Sequence, residues 1–165
     1  MKLHVKKLHP DAIIPTKTNL TDAGIDLYAL EDVTIFPGET VKVKTGIALQ
    51  LQDIAREKLY VNLLWDRSGL GSKGIHRLAG VVDQEYTGHI IVCLTNLNVG
   101  PVLKTFVCNS DDIPDEVYAE CTYHIKKGDR IAQVLVQEVV PVTIEEVTEL
   151  TATERGANGF GSSGA

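Results

Sequence analysis

A series of short β-type runs, broken by turn residues every few positions, governs what this chain can fold into. Residues 24–30 (GIDLYAL), 33–36 (VTIF), 40–51 (TVKVKTGIALQL), 58–65 (KLYVNLLW), 88–96 (GHIIVCLTN), 117–125 (VYAECTYHI) and 130–140 (RIAQVLVQEVV) are rich in β-branched, aromatic and aliphatic residues. Pro37-Gly38, Asp66, Gly69, Gly100-Pro101 and Gly128-Asp129 punctuate them. That pattern predicts an all-β sandwich or barrel. One short helix fits, over residues 52–57 (QDIARE), and no longer internal repeat is visible.

A length of 165 residues suits one domain with a tail, and 44% hydrophobic residues are enough for a packed core. No apolar run reaches the ~18 residues of a membrane span, and residues 1–15 lack the apolar stretch of a signal peptide. No membrane association is therefore expected. The net charge of −6 does not favour a nucleic-acid polymer, whose binding needs an excess of cations. It leaves room for a local cationic pocket holding one small phosphate ligand. Cys93, Cys108 and Cys121, odd in number and without paired spacing, read as reduced thiols of a cytosol-like compartment. Two segments stand apart from the 1–150 barrel region. Residues 98–124 are irregular and carry an acidic turn at 109–115 (NSDDIPD). Residues 151–165 hold four glycines and a single aromatic, Phe160, and read either as a frayed terminus or as an arm that orders on a ligand.

Four segments could carry chemistry. Residues 66–75 (DRSGLGSKGI) put the Arg67 guanidinium, the Ser68 hydroxyl and the permissive backbone of Gly69 within one turn, which can hold phosphate oxygens. An ordinary polar turn fits them as well. Residues 79–92 (AGVVDQEYTGHIIV) read as a hairpin with Asp83 at the start of its connection, where a carboxylate can orient and deprotonate water or simply serve the turn. In KGDRIAQ (127–133), Arg130 and Gln133 fall at opposite parities of a strand, and Arg130 reads equally as an ion-pair partner or a phosphate contact. The tail RGANGFGSSG (155–164) resembles an anion-cradling loop, with Arg155 for charge and Phe160 for stacking, but is not a Walker A motif. The five histidines show no HxxxH spacing and there is no CxxC, so a protein-ligated zinc is not expected. No GxSxG elbow is present.

Taken together, these segments resemble the five ordered motifs of the trimeric dUTP diphosphatase (dUTPase) family: TDAGIDLYA (21–29), DRSGLGSKG (66–74), AGVVDQEYTGHI (79–90), KKGDRIAQ (126–133) and ERGANGFGSSG (154–164). The resemblance implies a jelly-roll-like β-barrel that forms a homotrimer, with active sites at subunit interfaces and a flexible C-terminal arm over a site built by the other subunits. It implies hydrolysis of dUTP to dUMP and pyrophosphate, which limits uracil in DNA and supplies dUMP for dTTP synthesis. Asp83 would activate the water that attacks the α-phosphorus, and Asp26 would support the water and metal region. Tyr86 would pack on the deoxyribose where a 2′-hydroxyl would collide. Gly80 and Ile91 are the expected positions for backbone reading of uracil, which presents the reverse of cytosine's donor and acceptor. Arg67, Ser68, Gly69 and Gln133 would contact phosphates. Arg155 would reach the terminal phosphates, Phe160 would stack on uracil and Gly161 would join them. Mg²⁺ would be held by the triphosphate and waters, with no direct protein ligand. A cytoplasmic location follows, in the host if the source is viral.

The sequence departs from the family pattern in places. Asp66 stands where a Pro or small residue is usual, and its charge beside phosphates calls for a local cation. Glu85 and Thr87 replace a frequent Asp and Arg. The stretch from Asn96 to Lys126 is longer than in compact members, and the 98–124 segment is either a tolerated insertion or a site for a protein partner. The related dCTP deaminases share the hairpin but carry a catalytic Glu ten residues after the Asp. Here that place is Cys93. A catalytically idle dUTP-binding module is the remaining rival.

Overall fold

The computed structural model describes residues 1–52, 58–98 and 119–157. Ten strands are found there: β1 (Lys2–Lys7), β2 (Ile25–Tyr28), β3 (Val33–Ile35), β4 (Thr40–Gln52), β5 (Leu59–Trp65), β6 (Ile75–Leu78), β7 (Val81–Asp83), β8 (His89–Asn96), β9 (Tyr123–Ile125) and β10 (Arg130–Val139). A helical turn, α1 (Ser68–Gly71), interrupts them, and residues 119–121 are helical as well. Two four-stranded sheets, ordered β1-β4-β8-β6 and β2-β10-β5-β7, are completed by a two-stranded ribbon of β3 and β9. All these ladders are antiparallel, giving the all-β fold that the pattern predicts, of the jelly-roll-like kind that the resemblance implies. Among the described residues no helix is long and apolar enough to cross a membrane.

Alternation along the strands builds the core. Val43, Leu49, Ile90, Val92 and Leu94 of one sheet and Leu27, Leu64, Ile131 and Val134 of the other are buried together, with Ile35 and Ile125 from the ribbon. Each such side chain contributes about 1.5–3 kcal/mol relative to exposure. Inside β4 the register to β8 jumps between Lys44 and Ala48. Gly46 lies in that irregularity at φ 72°, and a Cβ there would come within 2.9 Å of Ala12. Asn96 is fully buried at the end of β8. Its amide nitrogen donates to the Ile35 and Cys121 carbonyls, and its amide oxygen accepts from the Asn98 backbone N–H. The buried amide is thereby paired, which is what makes its burial tolerable.

The structure differs from the sequence-based expectations in several elements. The hairpin expected at 79–92 does not form, because β7 pairs with β5 and β8 with β4 and β6, in different sheets. Of the strand expected at 117–125, the described residues form β9 alone, which pairs with β3, while 119–121 are helical. Residues 99–118 of that segment and 53–57 of the expected helix lie outside the described residues. The strands β1 and β6 were not anticipated, and the polar turn after Arg67 is a turn of helix anchored by buried Leu70. Cys93 and Cys121 are free thiols.

Candidate active site

Two cavities gather most of the predicted residues. The first, about 350 Å³, is lined by Thr18, Asp22, Gly24, Asp26, Arg67, Ser68, Arg130 and Gln133, among others. Asp26 on β2 is its keystone. One carboxylate oxygen accepts from Arg67 Nε at 2.8 Å and the other from Arg130 Nη1 at 3.2 Å. The Asp26 side chain is only 13% exposed, so its two guanidiniums are its compensation for lost water. Gln133 donates from Nε2 to the Asp66 carbonyl at 2.8 Å. Its side chain fills the space above Gly24, where a Cβ would lie 1.9 Å from Oε1, so no larger residue fits at 24 without moving Gln133. Arg130 and Gln133, expected at opposite parities, share this cavity because β10 shifts register against β2 between Arg130 and Ala132. A bulge resets which face later residues present.

The Asp22 carboxyl is held below its usual range, chiefly by the Asn19 backbone N–H donating to it at 2.8 Å. Two carboxylates and two guanidiniums therefore line the cavity. Asp66 does not add to them. Its carboxylate turns to β6, accepting from the Arg77 backbone N–H at 2.7 Å and meeting His76 Nδ1 at 2.8 Å. That resolves the expected charge conflict beside Arg67.

The second cavity, about 270 Å³, is mostly apolar and lined by Leu64, Leu78, Ala79, Gly80, Val81, Val82, Asp83, Tyr86, His89, Ile90, Ile91 and Cys93. Asp83 closes β7, and the Tyr86 N–H donates to its carbonyl at 3.1 Å across a tight turn. The Gln84 side chain accepts from the Tyr60 N–H at 2.9 Å and pins the turn to β5. The Tyr86 hydroxyl donates to the His89 carbonyl, and its ring lies so close over Gly88 that a Cβ there would sit 2.4 Å from the hydroxyl oxygen. Beside them, β6 pairs with β8 only from Cys93 to Asn96, so the β8 edge at Ile91 is not covered by β6. Gly80 puts its carbonyl into a hydrogen bond from the Leu64 N–H at 2.8 Å. Ala79, just before it, is the non-glycine residue at positive φ (58°) among the described residues, a conformation costing about 1–2 kcal/mol for an L-residue.

The two cavities share no lining residue. Gly69 lines neither and faces open space. Arg155 is exposed on the segment that leaves β10, and it too lines neither cavity. Phe160 and Gly161 lie outside the described residues. Among the described residues no group of three or more His, Cys, Asp or Glu side chains is arranged to hold a metal ion. Residues that sequence reasoning missed are Asp22 and His89. Asp22 lies inside the first motif without an obvious task, and His89 looked like one more strand residue.

His89 is anchored by the β4 irregularity, where its Nε2 accepts from the Gly46 N–H at 2.9 Å. That bond requires the neutral ring with its proton on Nδ1. Burial, reinforced by the nearby Lys44 ammonium, pushes the imidazole below its ordinary value. The unfolded chain therefore binds the proton first. The stabilisation is complete above the usual histidine pKa of about 6.5 and is lost as the pH falls through the lower folded value. Urea midpoints measured from pH 8 to 5 should fall more steeply for the wild type than for His89→Gln. Parallel curves would remove this role.

The dUTPase family model matches residues 10–105 and 116–164. A deoxyuridine 5′-triphosphate nucleotidohydrolase of Clostridioides difficile is 35% identical over 98% of this chain and 97% of its own length. The dUTPase of Staphylococcus bacteriophage 80alpha, solved with dUPNHPP, superposes with a TM-score of 0.79 at 30% identity, covering 99% of both chains. A variant dUTPase of S. aureus phage phi11, whose structure concerns the coordination of a structural Mg(II) ion, aligns at a TM-score of 0.72 and 26% identity over 92% of this chain and all of that one. The interruption in the family match, between residues 105 and 116, falls inside the long stretch before β9. A jelly-roll-like fold, the ordered motifs and relatives of nearly equal length agree, and the chain belongs to the dUTPase family.

Proposed function

We propose that the chain hydrolyses dUTP to dUMP and pyrophosphate. The observation that carries this reading is Asp83 at the mouth of an apolar pocket that also contains Tyr86 and the β8 edge at Ile91. A base at that edge would meet backbone groups, which distinguish uracil from cytosine by direction of hydrogen bonding. Tyr86, fixed over Gly88, would close the sugar site against a 2′-hydroxyl. Asp83 would hold a water by accepting its proton as the oxygen attacks the α-phosphorus, and pyrophosphate would leave. Arg67 and Arg130, aimed by Asp26, with Ser68 beside them, would bind phosphate oxygens. Asp26 thus acts in this reading on the arginines, a more specific task than support of a metal region.

A triphosphate carries more negative charge than two guanidiniums already paired with a carboxylate can balance. Mg²⁺ carried by the phosphates and waters suits this donor set, and it would neutralise phosphate charge and make the α-phosphorus more electrophilic. A complete site needs both cavities. We infer a homotrimer, the assembly that the resemblance implies, in which the phosphate cavity of one copy would meet the nucleoside pocket of another. The exposed Leu59 and Val81 on the β5–β7 face, and Val140, Val142 and Ile144 beyond β10, offer apolar surface for that assembly. The barrel would run over 1–150, and residues 151–165 would act as the closing arm through Arg155, Phe160 and Gly161. Cys93 lies in the pocket wall and offers no carboxylate for deamination. The reaction belongs to the nucleotide pool of the cytoplasm.

Pyrophosphate release with Mg²⁺ from dUTP, dCTP, dTTP and UTP tests the reading, with deamination followed in parallel. Turnover of dUTP alone is expected, and a folded trimer that leaves dUTP intact overturns it. Truncation after Glu154 should leave a folded trimer with turnover reduced about 10²-fold or more, because water is no longer excluded. Unfolding of the truncated protein would assign the arm to the fold instead.

A further inference from the structure

The chain changes sheets between β6 and β7. β6 pairs with β8 in the first sheet and β7 with β5 in the second. Ala79 and Gly80 make that corner, and both line the nucleoside pocket. No ladder spans the corner, and Ala79 sits there in the left-handed region. Such a conformation persists only where its surroundings over-determine it.

The Leu64 N–H holds the Gly80 carbonyl of this corner, and Arg77 holds the Ala79 side of it. Arg77 Nη1 donates to the Ala79 carbonyl at 2.9 Å. Its guanidinium lies over the Trp65 ring, 5.4 Å from the centroid. Gly80 packs directly beneath it, since a Cβ at 80 would lie 2.5 Å from Nη1 and 2.7 Å from the Leu64 carbonyl. Its Nε is buried without a hydrogen-bond partner among the described residues, so the head group keeps this place at the cost of one unpaired donor. The Arg77 backbone N–H is tied in turn to the Asp66 carboxylate, next to Arg67. A guanidinium can meet the Trp65 ring with one edge and bond the turn with another, which the point charge of a lysine does not reproduce, so lysine is not equivalent here.

We propose that Arg77 is a positioning residue for the nucleoside pocket: clamped between the Trp65 ring and the Ala79–Gly80 corner, it holds that corner in the shape that receives the base. This rests on the reading of the pocket as a deoxyuridine site. Arg77 touches no reacting atom, so its loss acts on binding more than on the chemical step.

The test uses the full-length protein with dUMP as the probe. The chain has one tryptophan, so Trp65 fluorescence reports the clamp directly. Arg77→Ala should change that emission, weaken dUMP binding and raise KM for dUTP by about tenfold, with kcat within about threefold. Inhibition by pyrophosphate should stay at the wild-type value. Arg77→Lys should fall between. Adding Ala79→Gly to Arg77→Ala should restore a substantial part of the lost dUMP affinity, because glycine adopts positive φ without being held. Unchanged dUMP affinity in Arg77→Ala overturns the proposal, and so does a double variant no better than the single one. If Arg77→Ala fails to fold, Arg77→Lys and Arg77→Lys with Ala79→Gly carry the same comparison. A wild type that neither binds dUMP nor hydrolyses dUTP overturns the deoxyuridine reading instead, while a wild type that hydrolyses dUTP keeps that reading whatever the variants do.

Discussion

Asp83→Asn is expected to lower kcat for dUTP by about 10²–10⁴-fold, the range lost with a general base. Asparagine preserves the size of the side chain and one acceptor oxygen, but it cannot take a proton from water. The fold should tolerate the change. Asp83 ends β7 in an exposed position, and its backbone, not its carboxylate, makes the turn to Tyr86. Binding of dUMP should therefore stay within about threefold of the wild type, so that the loss falls on kcat and not on ground-state affinity. Stopped-flow and steady-state kinetics beside dUMP titration check this. Wild-type kcat in the variant would move the base elsewhere.

Asp26→Ala should be nearly as damaging, by a different route. Without the carboxylate, Arg67 and Arg130 face each other as like charges and lose the acceptor that aims them. A stability loss of about 1–3 kcal/mol is expected, below the range for a fully buried pair because both arginines reach solvent. A fall in kcat/KM of about 10²-fold should accompany it as the phosphate-binding geometry relaxes. Denaturant melts and kcat/KM for dUTP measure the two effects separately. Full activity in the variant would mean that other contacts aim the arginines.

The long strands were legible because their runs of β-branched, aromatic and aliphatic residues are sustained. β4, β5, β8 and β10 all fall within one or two residues of their expected limits. Shorter elements carried too little pattern. Lysines flank the alternation of Leu3 and Val5 in β1, and the four residues of β6 include His76 and Arg77. The glycines of SGLG hide the helical turn, which only the burial of Leu70 explains. Motif order was enough to name Asp83, Tyr86, Arg67 and Gln133. It could not tell that a bulge brings Arg130 beside Gln133, since parity counting assumes an unbroken ladder. Nor could it place Asp66, whose partners on β6 are ten and eleven residues away and meet it only after the chain has turned back.

The single amide of Asn96 bonds the chain at two points far apart in sequence, Asn98 and Cys121. This works as a clasp on the barrel wall. Whatever length of polypeptide joins those two points, the strands feel the same fixed ends. Doubling the length of a flexible connection costs only about 0.6 kcal/mol of closure entropy. Sequence between the clasped ends is therefore expected to be gained, lost or exchanged with little effect on the two cavities, a place in the chain where change would leave the chemistry alone.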